Sequence, residues 1–369
     1  MPAQAAHPLE PSGPRGRSPL RATAYWTTGP GTGELRSEVL SPPGAGEVLV
    51  RTLHSGFSRG SELLVHRGGV PPEVAETMRA PFQEGGLPGP VKYGYLSVGV
   101  VEAVGRGAGE VAGGVPGGVG GAPPLLGRTV FCLHPHQDRY VVPASAVHPV
   151  PDAVPARRAV LAGTVETALN ALWDAAPRFG DRVAVVGAGM VGASVAALAR
   201  RLPLQRLQLV DRDPSRAALA AALGVDFALP EQAVGGCDVV VHASASGEGL
   251  SRALELLGPE GEVVEVSWYG DAPVTVRLGA GFHAQRLSIR ASQVGAVAAS
   301  RRSRRTSSER LQLALELLSD PAFDSLLSGP VRLEELPAAV DDLAAGRRSA
   351  LCLVVDHPTA PAQEPPCTA

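Results

Sequence analysis

The residues whose types and spacing most clearly suit chemistry are Gly187-Ala188-Gly189-Met190-Val191-Gly192, with Asp211 ending the next apolar run. Each glycine has a job against a dinucleotide. Gly187 permits a tight turn, Gly189 lets backbone approach a pyrophosphate, and Gly192 allows a helix to pack closely on a strand. The start of that helix offers unpaired N–H groups and a partial positive charge to the phosphates. A carboxylate about twenty residues further on accepts hydrogen bonds from the adenosine ribose hydroxyls and repels a 2′-phosphate. Asp211 therefore predicts NAD, while a guanidinium at Arg212 leaves NADP open. Met190, Val191, Thr167, Ala243 and Ser244 complete the expected cofactor surface. Glycine is common in this chain, with 44 residues, so the motif gains its weight from context. It follows the apolar run Val183 to Val186 and opens the expected helix Ala193 to Arg201.

A second pattern is the alternation Cys132, His134, His136, Asp138. On a strand, period-two spacing would put all four on one face, where they could bind a metal. Pro135 breaks a regular strand, and a polar loop is the favoured reading. The cysteines Cys132, Cys237, Cys352 and Cys367 are scattered, with no CxxC pair. Neither a disulfide framework nor a cysteine-rich zinc lobe is indicated, and a reducing cytoplasm is expected.

These residues need elements to hold them. A chain of 369 residues suits roughly two domains. Residues 22–162 read as β-rich, with GEVLVRTLHSG, YLSVGVVEAVG and GRTVFCL as short strands and GRGAGEVAGGVPGGVGGAPPLLG as a flexible loop. From Thr164 helices and strands alternate. TVETALNALWDAA is a helix. RVAVVGAGMVGASVAALARRL is strand, turn and helix, and LQRLQLVD a strand. DPSRAALAAALG is a helix with Asp213 as N-cap. CDVVVHASAS and GEVVEVSW are strands around the helix GLSRALELLG. This predicts an α/β fold with a doubly wound parallel sheet of Rossmann type, covered on both faces. Beyond residue 300 come the helix SSERLQLALELLSD, the segment LEELPAAVDDLAAG and the strand ALCLVVD. The ends, 1–21 and 358–369, read as disordered tails. A net charge of -3 gives no bulk attraction to nucleic acid or anionic membrane. No apolar run reaches the roughly 18 residues of a membrane helix, and no secretion signal opens the chain.

Over residues 22–357 this layout resembles the medium-chain dehydrogenase/reductase superfamily, which contains the zinc alcohol dehydrogenases. SGFSRGSELLVHRG is similar to the segment with the first catalytic zinc ligand, YGYLSVGVVEAVG to the GHE-type segment, GTVETALNAL to the helix with the third ligand, and GDRVAVVGAGMVG to the cofactor turn. The resemblance implies a split, β-rich GroES-like catalytic domain, 22–162 plus 301–357, around a Rossmann NAD-binding domain, 163–300. It also implies a homodimer joined through GEVVEVSW and a small-molecule substrate. The zinc positions depart from the pattern. Ser58 or Arg59 stands at the first, Tyr95 and Leu96 replace the GHE histidine and glutamate, and Gly163 falls at the third. A catalytic zinc takes about three ligands from Cys, His and carboxylate, so zinc is not expected. SRGSE, the missing ligands and FHAQRLSIRASQVG further resemble the branch containing bacteriochlorophyllide a dehydrogenase, which oxidises a secondary alcohol on a large ring system with NAD.

Without zinc, hydrogen-bond donors must meet the charge developing on the substrate oxygen. Tyr95 is the first candidate; alternatively its ring fills the vacated metal space. Ser58 and Ser61 follow, Ser61 matching the family's proton-relay hydroxyl, although each can instead bond its own turn. Glu62 and Glu166 could orient a donor, or be solvated or Arg-paired carboxylates. Lys92 and Tyr93 precede Tyr95. His283, Arg286, Arg290, Arg301, Arg302, Arg304 and Arg305 read as a solvated basic surface. The leading expectation is a zinc-independent NAD-dependent alcohol dehydrogenase acting on a secondary alcohol of a bulky metabolite. A zinc-free enone or quinone reductase using NAD(P)H, and a non-catalytic nicotinamide-binding scaffold or redox sensor, remain open.

Overall fold

The computed structural model describes residues 19–108 and 124–358, and the statements below concern these. Most of both tails, and the middle of the glycine-rich stretch read as a flexible loop, lie outside them.

The N-terminal part is built from β-hairpins. β1 (Leu20–Gly29) and β2 (Thr32–Leu40) pair antiparallel across a turn with Gly31 at φ +74°. Because β1 starts at Leu20, it begins inside the segment expected to be a tail. β3 (Glu47–Ser58) runs into the short helix α1 (Ser61–His66). The two-residue strands β4 (Glu84–Gly85) and β5 (Val91–Lys92) join β1 and β2 in a four-stranded sheet. β6 (Ser97–Val104), β7 (Thr129–Cys132), β8 (Arg139–Pro143) and β9 (Val147–Pro149) assemble on β3. The short α2 (Ala156–Ala159) and the long α3 (Ala162–Ala175) lead out of this part.

The alternating region folds as expected. β10 (Arg182–Val186), β11 (Arg206–Val210), β12 (Asp226–Ala228), β13 (Cys237–His242), β14 (Leu257–Glu265) and β15 (Ser288–Ala291) form one parallel sheet in the order β12-β11-β10-β13-β14-β15. The helices α4 (Met190–Ala199), α5 (Arg216–Leu223), α6 (Gly247–Leu256) and α7 (Gly281–Ala284) connect the strands. Val183 to Val186 of β10 are all apolar because both faces of the strand are covered. Val183 and Val185 pack with α3 and α4 residues, while Ala184 and Val186 pack with Leu250, Ala253 and Leu254 of α6. Each fully buried valine contributes about 1.5–3 kcal/mol.

Three expectations are corrected. α4 starts at Met190, three residues before Ala193, because Gly189 is already its N-cap. α5 starts at Arg216 with Ser215 as N-cap; Asp213 accepts the Ser215 N–H at 3.0 Å in the turn before it. GEVVEVSW is no edge strand: it falls in β14, whose two sides are taken by β13 and β15. It cannot extend a sheet into a second copy. The edge on that side is β15, whose four residues are all exposed.

The chain then returns. α8 (Ser307–Leu317) opens on a capping box between Thr306 and Glu309 and packs against α3. β16 (Leu327–Arg332), α9 (Leu336–Ala344) and β17 (Cys352–Asp356) follow. β17 lies antiparallel to β3, pairing Cys352 with Ser58 and Asp356 with His54. Among the described residues no helix is long and apolar enough to cross a membrane.

Candidate active site

The glycine turn sits at the C-terminal end of β10. Gly187 has φ +107°, which L side chains avoid, and a Cβ there would lie 2.7 Å from the Ser244 amide. At Gly192 a Cβ would lie 1.9 Å from the Gly187 carbonyl oxygen, so only glycine lets α4 approach the turn. A Cβ on Gly189 would meet nothing within 4 Å, leaving a cradle in front of the helix start. Asp211, just beyond β11, accepts the Ala188 N–H at 2.7 Å and the Asp213 N–H at 2.9 Å. Its carboxylate is thereby fixed beside the turn, while Arg212 is exposed. Met190 is buried and Val191 half-buried at the start of α4. Ala243 and Ser244 follow β13 and press against Gly187. Thr167 lies on α3, its hydroxyl donating to the Gly163 carbonyl at 2.9 Å.

The positions matched to zinc ligands converge. Tyr95, half-buried, lies beside Ser58 and Ser61, and a Cβ on Gly163 would lie 3.7 Å from its ring. The same Cβ would lie 2.8 Å from Leu96 Cδ2, so apolar side chains occupy the third ligand's place. Burial, and next the nearby Glu62, push the Tyr95 phenol up to about 12, against the lowering by Ser58 and Ser61. The phenol stays protonated at neutral pH. Tyr93 meets Tyr95 edge-on at 6.1 Å between ring centroids. Lys92 is held away by Glu38 at 3.0 Å and Gln137 at 2.9 Å. A donor set of two serines and a phenol does not fit a catalytic zinc. Among the described residues no three His, Cys, Asp or Glu side chains form a group that could hold a metal.

Glu62 is 4% exposed and doubly engaged. Its Oε1 accepts the Ser58 N–H at 2.7 Å, and its Oε2 lies 2.8 Å from His136 Nε2. The alternating Cys132, His134, His136 and Asp138 thus disperse to separate partners. His134 stacks on Tyr140 at 3.8 Å, Asp138 accepts the Thr23 N–H at 2.8 Å, and Cys132 is buried with its thiol pushed up to about 12 by burial. β7 stops at Cys132, so the rest is loop, as Pro135 suggested. Glu166 is Arg-paired: Arg310 Nε donates to it at 3.0 Å inside the core. Burial still raises its pKa despite the guanidinium. The arginines near His283 form a surface, with Arg286 against Glu260 at 3.1 Å and Arg290 against Glu262 at 2.6 Å.

One cluster escaped the sequence reading. At the ends of β13 and β14, the wholly buried His242 holds Glu265 through Nδ1 at 2.7 Å and Ser244 through Nε2 at 2.6 Å. Tyr269 donates to Glu265 at 2.9 Å. Burial would raise the Glu265 pKa, yet hydrogen bonds from His242 and Ser267 hold it below the ordinary value. The cluster adjoins the glycine turn through Ser244, at the strand ends where ligands of such sheets bind. The available signal was a polar residue closing each apolar run, in CDVVVH and GEVVE.

No family model matches the chain. Over 121 residues it is 32% identical to L-threonine 3-dehydrogenase of Rhizobium rhizogenes, a match taking in 32% of this chain and 33% of that protein. The chain thus matches about a third of the length of this curated relative. Solved structures are similar over nearly the whole chain. L-idonate 5-dehydrogenase of Escherichia coli has a TM-score of 0.72 at 16% identity, covering 92% of this chain and 99% of that one. A short chain alcohol dehydrogenase of Escherichia coli complexed with NADH has a TM-score of 0.68 at 17% identity, covering 91% and 99%. The fold is the one these dehydrogenase structures share, a parallel Rossmann sheet joined to a GroES-like β-rich part.

Proposed function

We propose that the protein is a nicotinamide-dependent oxidoreductase of the medium-chain dehydrogenase/reductase superfamily, acting on a CH–OH group without zinc. The observation that carries this reading is the glycine turn at the end of β10, open in front of Gly189 and flanked by the anchored Asp211 carboxylate. Gly187, Gly189, Met190, Val191 and Gly192 would hold the pyrophosphate, Asp211 the adenosine ribose, and Thr167, Ala243 and Ser244 the nicotinamide half. Asp211 favours NAD over NADP, with Arg212 beside it. When bound, the nicotinamide supplies the hydride acceptor or donor.

The chain's own residues handle the proton. Tyr95, protonated at neutral pH, points its phenol at the substrate oxygen and hydrogen-bonds it as charge develops there. Ser58, Ser61 and Glu62 lie around the phenol. The substrate is a secondary alcohol or ketone of a bulky metabolite, and residues 22–162 with 301–357 form the catalytic domain around 163–300. In a cytoplasmic homodimer, sheet extension would use β15, because β14 is enclosed.

Cyclohexanol, L-threonine and L-idonate are the first probes, read as NAD reduction at 340 nm. Oxidation of NADH by enones or quinones alone would instead favour a reductase. Nicotinamide binding without turnover would favour a scaffold. Asp211→Ala is expected to weaken NAD binding about ten- to hundredfold, the worth of a hydrogen bond to a charged group, and to narrow the gap to NADP. Calorimetric titration reads both; unchanged NAD affinity removes Asp211 from the ribose.

A further inference from the structure

Resting on the dehydrogenase reading, the cluster at the ends of β13 and β14 gains a role. The strand order places it. Asp211 stands beyond β11, on one side of the glycine turn that closes β10, and β13 and β14 lie on the other side. A dinucleotide has two riboses, one on either side of its pyrophosphate. With the pyrophosphate at the turn and the adenosine ribose on Asp211, the second ribose falls toward the ends of β13 and β14. His242 closes β13, Ser244 follows it, and Glu265 closes β14.

The cluster is tightly assembled. Ser246 caps α6 by accepting the Gly249 N–H at 3.0 Å, and its Oγ lies 3.0 Å from Ser244 Oγ. A Cβ on Gly249 would collide with the Ser244 hydroxyl, so only glycine lets α6 start this close. The Tyr269 ring stacks on the His242 imidazole at 6.4 Å between centroids. The Tyr269 hydroxyl, the Ser267 N–H and His242 Nδ1 surround the Glu265 carboxylate at 2.9, 2.8 and 2.7 Å.

The donors present fix where the protons lie. Glu265, held below the ordinary carboxylate value against its burial, is ionised and can only accept. His242 therefore carries a proton on Nδ1. Three donors already satisfy the carboxylate, and a second proton on the wholly buried ring would add a charge to the interior. Nε2 is then a bare lone pair and takes the Ser244 O–H at 2.6 Å. The Ser246 O–H is directed to Ser244 Oγ. Every hydrogen bond from Gly249 to Glu265 runs the same way. Ser244 has committed its only proton and keeps one lone pair on a half-buried hydroxyl beside the turn. Such an oxygen accepts from a hydroxyl and repels a phosphate.

We propose that Ser244 grips a hydroxyl of the nicotinamide-side ribose as an acceptor, and that His242 and Glu265 are positioning residues that hold its proton away from the cofactor. Asp211 meets the adenosine ribose directly. On the nicotinamide side the carboxylate is set back behind an imidazole, so the oxygen meeting the sugar is uncharged.

Calorimetric titration with three probes tests this. ADP lacks the second ribose, ADP-ribose has it without the nicotinamide, and NAD has both. Ser244→Ala is expected to weaken ADP-ribose and NAD about three- to tenfold, the worth of one neutral hydrogen bond, and to leave ADP unchanged. His242→Phe, which frees the Ser244 proton, is expected to show the same split, with ADP affinity reporting that the glycine turn is intact. Equal weakening of all three probes in Ser244→Ala means a merely structural role. A loss confined to NAD puts Ser244 at the carboxamide, and unchanged affinities remove it from the cofactor. Each of these overturns the proposal while wild-type NAD binding leaves the dehydrogenase reading standing. A wild-type protein that binds none of the three overturns both. In protein labelled with 15N-histidine, long-range 1H–15N spectra at pH 7 are expected to show His242 with a single proton on Nδ1, assigned by its loss in His242→Phe. An Nε2–H tautomer or an imidazolium there overturns the positioning role.

Discussion

Tyr95→Phe lowers kcat about a hundredfold or more, with NAD affinity unchanged. The substitution removes only the phenolic oxygen. The ring keeps its packing against Tyr93 and Gly163, so the fold persists. The phenol is held protonated well above neutrality, pushed up to about 12. A serine hydroxyl cannot replace it as a proton donor to a developing alkoxide. Single-turnover NAD reduction followed by stopped flow checks this. Wild-type rates in the variant would reduce Tyr95 to a filler of the vacated metal space.

The second large effect is on stability in acid. Between about pH 6.5 and pH 4, folding stability is expected to fall steeply. Burial drives His134 down to about 3 and His148 down to about 4, and holds His357 well below its ordinary value. In the unfolded chain all three titrate near 6.5. Through this window the unfolded state binds protons that the folded state refuses. Each histidine therefore removes about 1.4 kcal/mol per pH unit, or about 4 kcal/mol per unit for the three. Their stabilising effect is complete above about pH 6.5 and is lost as pH falls toward the folded-state values. Glu166 and Asp138, both raised by burial, work in the opposite sense, while His66, lowered by burial, acts with the three histidines. Across the window this amounts to roughly 10 kcal/mol, comparable with a total stability of about 5–15 kcal/mol. Urea denaturation at pH 7, 6 and 5 reads the slope, and a midpoint constant across that range would refute it.

What could be read from the sequence was local. The glycine turn was legible because each glycine answers a steric demand within a few residues, and the structure gives the clashes that enforce Gly187 and Gly192. The parallel sheet follows from alternation of helix and strand. The meeting of Ser58, Tyr95 and Gly163 came through family resemblance, since nothing in their spacing requires it. Glu62 and His136 lie 74 residues apart, and neither carries a pattern that pairs them. The CxHxHxD alternation even pointed elsewhere, to a metal face that the loop after Cys132 disperses. β15 was invisible as an edge because SIRA is short and exposed, and without it GEVVEVSW was taken for the edge. The buried His242–Glu265 pair follows only once β13 and β14 are known to be neighbours.

The pairing of β17 with β3 has a consequence for how the molecule is made. The N-terminal sheet presents an open side along His54 to Ser58 until residues 352–356 leave the ribosome. By then the whole parallel-sheet unit has been synthesised and is free to collapse on its own. The two halves thus mature out of order: the middle of the chain finishes first, and the segment translated earliest waits for the one translated nearly last. During that wait the open His54–Ser58 side of β3 is the exposed edge at which newly made chains would stick to one another.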